Sequence, residues 1–209
     1  MTALNRRLAV LISGRGSNLQ SILDAIAART LDATVAVVIS NRSDAAGLHR
    51  ARAAGVETVV VLPKDYPGRD ECDRAIVDIL RARDVGLVCL AGYMRILGRP
   101  LLQAFEHRIL NIHPSLLPSF PGLDAQRQAL EYGALVTGAT VHLVTDGLDD
   151  GPIVAQRAVP VFADDSVETL AARILIEEHR IYPEAIGVVL GGAWSVDGRR
   201  FVRRSETEG

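Results

Sequence analysis

Residues 8–20 have the sequence LAVLISGRGSNLQ, in which an apolar run leads through a glycine-containing turn into an amphipathic segment. Residues 8–12 are all apolar, and a short continuous run of this kind is typical of a strand buried on both faces of a parallel sheet. Ser17 or Asn18 can begin the following helix, because apolar residues recur at helical spacing over residues 19–26. A strand joined to a helix by a short loop predicts an α/β fold.

The same alternation of strands and helices continues along most of the chain. The next predicted elements are a strand at 33–40, a helix at 44–54, a strand at 58–62, a helix at 70–83, a strand at 87–91, a short helix at 100–105, a strand ending at 111 and a helix from 124. This order predicts a mostly parallel, doubly wound sheet with right-handed connections. In such sheets ligands bind beyond the carboxyl ends of the strands.

The last third of the chain has a different pattern. Residues 139–145 alternate between apolar and polar side chains, and residues 154–162 are rich in β-forming residues. We therefore predict a partly antiparallel, C-terminal extension of the sheet. A long helix is predicted at 166–190, and the Asp197-Gly198 pair is typical of a β-hairpin turn.

Length and composition indicate a single globular domain over residues 1–209, with frayed ends at 1–6 and 205–209. The formal net charge is −2 at pH 7 and the basic residues are scattered, so we expect neither a nucleic-acid partner nor a membrane partner. Cys72 and Cys89 have no paired spacing, which argues against a disulfide framework or a metal site and favours the reducing cytoplasm. The expected partners are small-molecule substrates.

The turn at residues 13–18, SGRGSN, joins the first predicted strand to the first predicted helix. Glycines let backbone amides approach an anion at a helix N-terminus, where the helix dipole also favours negative charge. The pattern is not a Walker loop, since no Lys-Ser/Thr follows, and it is not a full dinucleotide fingerprint, since Leu19 stands at the third glycine position. It favours a site for one phosphate group, with an ordinary tight turn capped by Ser17 as the alternative.

Residues 111–118, NIHPSLLP, follow an apolar run and place an amide and an imidazole two positions apart. Side chains at i and i+2 of a strand lie on the same face, so Asn111 and His113 point in the same direction at the strand end. An amide donor beside a titratable ring can hold and protonate a developing oxyanion, which predicts an enzyme of the acyl-transfer type. A hydrogen-bonded structural histidine is the alternative, and His142, on the alternating strand, is a weaker candidate.

The turn at residues 145–152, TDGLDDGP, contains three carboxylates between two predicted β segments. One of these carboxylates can hydrogen-bond to His113, favour the imidazolium and raise the pKa of the ring. Gly151 gives freedom to a loop that closes over a ligand. The alternative is a polar loop without a function, since Asp and Gly are common in turns.

Four motifs in this chain resemble those of the phosphoribosylglycinamide formyltransferase family. They are SGRGSNLQ at 13–20, AGYMRIL at 91–97, NIHPSLLP at 111–118 and LDDGP at 148–152, in an order that matches the family over residues 8–190. The resemblance implies a Rossmann-like formyltransferase fold. It also implies a formyl transfer in purine biosynthesis, from 10-formyltetrahydrofolate to the amine of glycinamide ribonucleotide.

The resemblance further implies roles for individual residues. The catalytic residues of the family match Asn111, His113 and Asp149, and its acceptor-binding residues match Gly16, Ser17, Asn18 and Glu178. Its folate-binding residues match Arg69, Met94, Arg95, Ile96, Leu97, Asn111, Thr145, Asp146, Gly147, Leu148 and Asp149. Spacing alone favours core packing for the three apolar residues after the strand, which are Met94, Ile96 and Leu97.

Two positions depart from the family's pattern. Leu175 stands where the family often has a polar contact to the acceptor, and Gln126 stands where relatives often have a histidine. The expected mechanism is attack of the acceptor's neutral amine on the formyl carbonyl. Asn111 donates to the oxygen, and His113, held as an imidazolium by Asp149, stabilises the oxygen or transfers a proton.

Three other functions remain open at this point. Formyltetrahydrofolate hydrolase usually has a second histidine after the catalytic one, where this chain has Pro114, and an extra N-terminal regulatory domain. Methionyl-tRNA formyltransferase would need a further C-terminal domain and a basic surface. A non-catalytic nucleotide-binding module would use the glycine loop alone. Both a monomer and a homodimer are compatible with the sequence.

Overall fold

The computed structural model describes residues 4–204. The strands are β1 (Arg7–Ile12), β2 (Thr34–Ser40), β3 (Thr58–Val60), β4 (Leu87–Leu90), β5 (Ile109–His113), β6 (Val136–Leu143), β7 (Ile153–Pro160), β8 (Trp194–Asp197) and β9 (Arg200–Arg203). The helices are α1 (Ser17–Ala27), α2 (Gly47–Ala53), α3 (Arg69–Arg81), α4 (Arg99–Ala104), α5 (Ala125–Tyr132) and α6 (Val167–Gly191), with a single 3-10 turn at Pro63–Asp65.

Seven strands form one sheet in the order β3-β2-β1-β4-β5-β6-β7. Strands β1 to β5 run parallel to one another. Strand β6 runs antiparallel to β5, and β7 runs antiparallel to β6. The predicted parallel sheet with an antiparallel extension is therefore confirmed. Because β1, β4 and β5 are adjacent and parallel, the loops that follow them leave the sheet at the same edge.

Both faces of the sheet are covered, as the doubly wound pattern predicts. Alternate residues of β1, such as Leu8 and Val10, pack with α1, α2 and α6 in one apolar cluster. The intervening residues, such as Ala9 and Leu11, pack with α3 and α4 in a second cluster on the other face. Since β1 is buried on both sides, its continuous apolar sequence is explained.

The α3 side of the sheet becomes polar at β5 and β6. Leu110 and Ile112 of β5 enter the α6-side cluster, so Asn111 and His113 face the other way. The β6 residues directly opposite them are His142 and Thr140, respectively. Four neighbouring positions on one face of the sheet are therefore polar, and this face carries the candidate site.

Helix α2 begins at Gly47, three residues later than the position predicted from Asp44. The Asp44 carboxylate binds the guanidinium of Arg42 instead, with an N–O distance of 2.8 Å. The backbone amide of Gly47 donates to the carbonyl of Gly14, at 2.9 Å, which docks the start of the helix on the turn after β1. A tertiary contact therefore sets this boundary.

Tyr182 connects α6 to the centre of the sheet. Its side chain is fully buried, and its hydroxyl lies 2.9 Å from the carbonyl oxygen of Leu90 and 3.2 Å from that of Leu110. Burial raises the pKa of this hydroxyl well above its ordinary value, so it remains a donor. The contact fixes α6 across β4 and β5 and places Glu178, one turn earlier, near the strand ends.

The C-terminal β8-β9 hairpin is confirmed, with its turn at Gly198 and Arg199, between the paired residues Asp197 and Arg200. Trp194 is fully buried and stacks on Phe201, with ring centroids 4.8 Å apart. The expectation of frayed ends remains a prediction at 1–3 and 205–209, which lie outside the described residues, whereas Asn5 donates a side-chain hydrogen bond to the carbonyl of Asp84. Within residues 4–204, none of the helices combines the length and the apolarity needed to cross a lipid bilayer.

Replacing Tyr182 with Phe should lower the free energy of unfolding by about 1–2 kcal/mol, because a buried hydrogen-bond donor to two carbonyls is lost. Urea denaturation followed by fluorescence measures this change. Tyr132→Phe is the matched control, since this tyrosine is 81% exposed. Equal stability of the two variants would show that the Tyr182 hydroxyl does not anchor α6.

Candidate active site

The turn after β1 holds the N-terminus of α1 open. Gly16 is the N-cap residue, has a left-handed backbone with φ 70°, and provides no side chain to cap the helix. The alternative of a turn capped by Ser17 is wrong, because Ser17 is the first helical residue. The first N–H groups of α1 therefore have no side-chain cap in the described part of the chain, and they are donors for an anion.

Close backbone packing requires the glycine at this turn. A Cβ on Gly16 would lie 2.6 Å from the Cα of Gly47. Arg50 of α2 supports the turn from outside, because its Nε donates to the carbonyl of Arg15 at 3.0 Å. Two guanidinium groups, of Arg15 and Arg50, are thus attached to the anion-binding turn.

Asn18 and Glu178 form a buried pair beside this turn, each with 8% of its surface exposed. The side-chain amide of Asn18 donates to Oε2 of Glu178 at 2.7 Å. Burial raises the pKa of Glu178, and the Asn18 hydrogen bond opposes that rise only in part. The expected side-chain donor of Asn18 is therefore engaged with Glu178, and backbone amides remain for the anion. Leu175, one turn earlier on α6, is half-buried.

The Asn111 side chain contacts His142, a pairing that the sequence does not predict. Its Nδ2 lies 3.2 Å from Nε2 of His142, the residue directly opposite on β6. The Nδ1 of His142 faces the carbonyl of Leu143 at 3.0 Å, so Nδ1 carries a proton, while Nε2 faces both the Asn111 amide and Oδ1 of Asp149. His142, the weaker candidate from the sequence, is 2% exposed and lies in the site beside the Asn111 amide. Antiparallel pairing of the two strands was the signal that could have found it.

His113 is held between two oxygen atoms. Its Nε2 lies 2.8 Å from the carbonyl oxygen of Phe120, and its Nδ1 lies 3.4 Å from Oδ2 of Asp149. Burial lowers the pKa of His113 below its ordinary value, and this effect exceeds the rise caused by the Phe120 carbonyl and the Asp149 charge. The predicted pairing with Asp149 is present. The predicted net rise in pKa is wrong, because the ring is 5% exposed and poorly solvated.

Asp149 contacts both imidazoles and remains ionised. Its Oδ1 lies 3.6 Å from Nε2 of His142, and its Oδ2 accepts the backbone N–H of Gly122 at 2.8 Å. Burial raises the pKa of Asp149, but the His142 and Gly122 contacts and the charge of His113 lower it further, with a net downward direction. Its backbone is left-handed, with φ 50°, as is that of Phe120, with φ 55°. Such backbone strain often concentrates at functional sites.

The loop at residues 91–98, between β4 and α4, carries the expected folate-binding residues. Met94 and Ile96 are 68% and 62% exposed, so core packing, favoured by spacing, is wrong for these two side chains. Leu97 is 7% exposed and belongs to the α3-side core. The Arg95 guanidinium contacts Sγ of Cys72 at 2.9 Å. The exposed apolar pair therefore forms an apolar wall facing solvent.

The turn at residues 145–152 lies over the polar face of β5 and β6. Thr145 donates its hydroxyl proton to Oδ1 of Asp150, which closes the turn. Asp146 and Gly147 are exposed, and Leu148 is 61% exposed. The structure therefore brings Asp149 to the two imidazoles, while its neighbours face solvent. Gln126 is half-buried in the first turn of α5, and Arg69 is exposed at the start of α3.

A family model described as formyl transferase matches residues 6–186. The chain belongs to the formyl transferase family. Phosphoribosylglycinamide formyltransferase of Escherichia coli is 46% identical over 192 residues, which cover 92% of this chain and 88% of that protein. The fold is also similar to that of a solved structure.

That structure is glycinamide ribonucleotide transformylase 1 from Symbiobacterium toebii. It has a TM-score of 0.94 and 56% identity, and the match covers 96% of this formyl transferase and 95% of that chain. The trifunctional purine biosynthetic protein adenosine-3 of Homo sapiens is 48% identical over 186 residues. This formyl transferase spans 18% of that protein's length, and 14% to 19% of the length of other such trifunctional relatives.

The arrangement in this formyl transferase combines an amide donor, an imidazole and a carboxylate on one face. Asn111 can donate to a developing oxyanion, because the second proton of its Nδ2 is available beside the one directed at His142. Asp149 stabilises any proton that His113 takes up at Nδ1. These groups suit acyl transfer, in which negative charge develops on a carbonyl oxygen.

Replacing Asp149 with Asn should lower the pKa of His113 further. The carboxylate favours the imidazolium, so its removal leaves burial with less opposition and reduces the charged fraction of the ring at every pH. NMR titration of the His113 ring, identified by comparison with a His113→Asn spectrum, measures the shift. The control is Asp146→Asn, an exposed carboxylate in the same turn. An unchanged titration in Asp149→Asn would exclude the proposed charge coupling.

Proposed function

We propose that this chain transfers the formyl group of 10-formyltetrahydrofolate to the amine of glycinamide ribonucleotide, a step of purine biosynthesis. The observation that carries the proposal is the convergence of Asn111, His113 and Asp149 on one sheet face. The named relatives support the same reaction. Cys72 and Cys89 are buried in different apolar clusters on opposite faces of the sheet, and we assign the reaction to the reducing cytoplasm.

The phosphate of the acceptor is proposed to bind at the N-terminus of α1. Uncapped N–H groups at Gly16, Ser17 and Asn18 supply donors, and the helix dipole favours the negative charge. Glu178 cannot itself bind the phosphate, because its acceptor oxygens would repel it. Glu178 suits a hydroxyl of the ribose, since its carboxyl group is buried and oriented by Asn18.

The formyl donor is proposed to lie between the loop at residues 91–98 and the turn at residues 145–152. Met94, Ile96 and Leu148 expose apolar side chains that a pteridine ring would bury. The loop is attached to the acceptor side, because the backbone amide of Met94 donates to Oγ of Ser13 at 2.8 Å. The binding sites of the two substrates would therefore be connected through the hydrogen bond between Met94 and Ser13.

The reaction begins with attack of the acceptor's neutral amine on the formyl carbon. A C–N bond forms, and the carbonyl electron pair moves to the oxygen, where Asn111 donates a hydrogen bond. The intermediate then collapses: the C=O bond forms again and the bond between the formyl carbon and the folate nitrogen breaks. The attacking nitrogen must lose one proton, and the departing nitrogen must gain one.

His113 is proposed to carry that proton, starting from the neutral ring. Burial lowers the pKa of His113 and so favours the neutral ring over the imidazolium starting state expected from the sequence. Nδ1 faces Asp149, so the substrate must displace the Phe120 carbonyl from Nε2. The Nδ1–H tautomer, donating to Asp149, then leaves Nε2 free to accept the proton and return it to the folate nitrogen.

The proposed function is tested by incubating the protein with 10-formyltetrahydrofolate, with and without glycinamide ribonucleotide. We expect tetrahydrofolate and formylated ribonucleotide to appear in equal amounts, and only when both substrates are present. Formate release without the acceptor would support a hydrolase instead. Binding of the ribonucleotide without turnover would support a non-catalytic nucleotide-binding module.

Asn111→Ala should reduce turnover roughly 10²–10³-fold while both substrates still bind, because one oxyanion donor is lost. His142→Ala should reduce turnover less, since the amide remains but loses its orienting partner. The double variant should be slower than Asn111→Ala by a smaller factor than His142→Ala is slower than wild type, because the two residues share one donor and only the contact of His142 with Asp149 remains to be lost. Turnover losses that multiply in the double variant would show that His142 acts independently of Asn111.

Gly16→Ala should raise KM for the ribonucleotide about tenfold or more, since the added Cβ would push the turn away from Gly47. Gly55→Ala is the matched control. Gly55 has φ 71°, close to the value at Gly16, but open space around the position of a Cβ. Both variants carry the same backbone strain, so an equal KM in both would argue against a phosphate site at the turn.

A further inference from the structure

Asp73 is a buried carboxylate outside the motifs that indicate the function. It lies on α3 with 1% of its surface exposed. Burial raises its pKa, against the opposing effects of the Gly98 amide and the Arg95 charge. A buried carboxylate is costly unless it is hydrogen-bonded, so the contacts of Asp73 indicate what it holds in place.

The contact of Asp73 is with the end of the loop at residues 91–98. Its Oδ2 accepts the backbone N–H of Gly98, the residue before α4. The approach is close: a Cβ on Gly98 would lie 2.8 Å from Oδ1 of Asp70 and 3.0 Å from Oδ2 of Asp73. The loop end therefore lies directly against the first turns of α3, in contact with the side chains of Asp70 and Asp73.

The other end of the same loop is held by the turn after β1. The backbone amide of Ser13 donates to the carbonyl of Gly92 at 3.0 Å, and Oγ of Ser13 accepts the amide of Met94. Met94 and Ile96 project from the segment between these two anchors. Because both side chains are largely exposed, their own packing contributes little to fixing the loop.

A third contact lies between the anchors and involves the same turn of α3. The Arg95 guanidinium contacts Sγ of Cys72, the residue before Asp73, and its positive charge opposes the rise that burial causes in the pKa of Asp73. Asp73 therefore holds the loop end through the Gly98 amide, while Arg95 contacts the neighbouring residue on α3. An Asn in place of Asp73 would retain an oxygen acceptor but lose the charge.

We propose that Asp73 is a positioning residue for the formyl donor: it fixes the loop at residues 91–98 so that Met94 and Ile96 form a preorganised apolar wall. The inference rests on the proposed function, because the wall is the proposed binding surface of the folate. Asp73 does not reach the reacting atoms in this account. Its effect should appear in binding of the donor and not in binding of the ribonucleotide.

The test compares Asp73→Ala and Asp73→Asn with wild type in steady-state formyl transfer. Asp73→Ala should raise KM for the formyl donor about tenfold or more, since a charged hydrogen bond to the loop is lost. KM for glycinamide ribonucleotide should change less than about twofold by the same reasoning. Asp73→Asn should fall between wild type and Asp73→Ala, because it keeps an acceptor for Gly98.

Asp78→Ala, an exposed carboxylate on the same helix, is the control and should leave both KM values unchanged. Titration of each variant with tetrahydrofolate, followed by fluorescence, measures donor-side binding without turnover. If Asp73→Ala fails to fold, Gly98→Ala displaces the same contact from the loop side and should raise the donor KM alone.

Two results would overturn the inference. A lower melting temperature with an unchanged donor KM would give Asp73 a purely structural role, and equal rises in both KM values would show a general disturbance of the site. Failure of the proposed function is distinguishable, since wild type itself would then not transfer the formyl group to glycinamide ribonucleotide.

Discussion

Antiparallel pairing of β5 with β6 holds Asn111 opposite His142 and His113 opposite Thr140, while the alternate residues of both strands enter the apolar core beneath α6. A register shift of one residue would turn every side chain of the strand to the other face. Such a shift would bury the polar groups against α6 and expose side chains such as Leu110. Packing of the apolar face against α6 therefore fixes the register of the two strands. This register determines which polar side chains, including the Asn111 amide, lie on the opposite face.

Burial and charge act in opposite directions on the central imidazole. Burial makes His113 a weaker base, whereas Asp149 and the Phe120 carbonyl restore part of its basicity. A ring that is neutral at rest can take up a proton during the reaction, and Asp149 stabilises the charge formed. Asp149 itself stays ionised because His142 and the Gly122 amide hold it. The same desolvation that lowers the pKa also strengthens the pair electrostatically.

The sequence predicted the fold well because the signals were local: a continuous apolar run for β1, and helical spacing for α1. It also predicted the pairing of His113 with Asp149, through motif order. It did not reveal the partner role of His142, because that depends on the register between two strands, nor the net pKa of His113, because desolvation depends on how completely the ring is covered. The role of Asp73 depends on a tertiary contact with Gly98 and has no local pattern.

Ser13 belongs to both halves of the proposed site. It begins the turn that leads to the anion-binding end of α1, and its hydroxyl accepts the amide of Met94 while donating to Oδ1 of Asn41 at 2.6 Å. The acceptor side and the donor side are therefore linked through one buried side chain. The rate of reaction between two bound substrates is sensitive to the distance between them, and a small misplacement can lower it by orders of magnitude. Because the loop is already held at Ser13 and at Asp73, such misplacement is limited before either substrate binds. The free-energy cost of ordering the loop on binding is therefore lower.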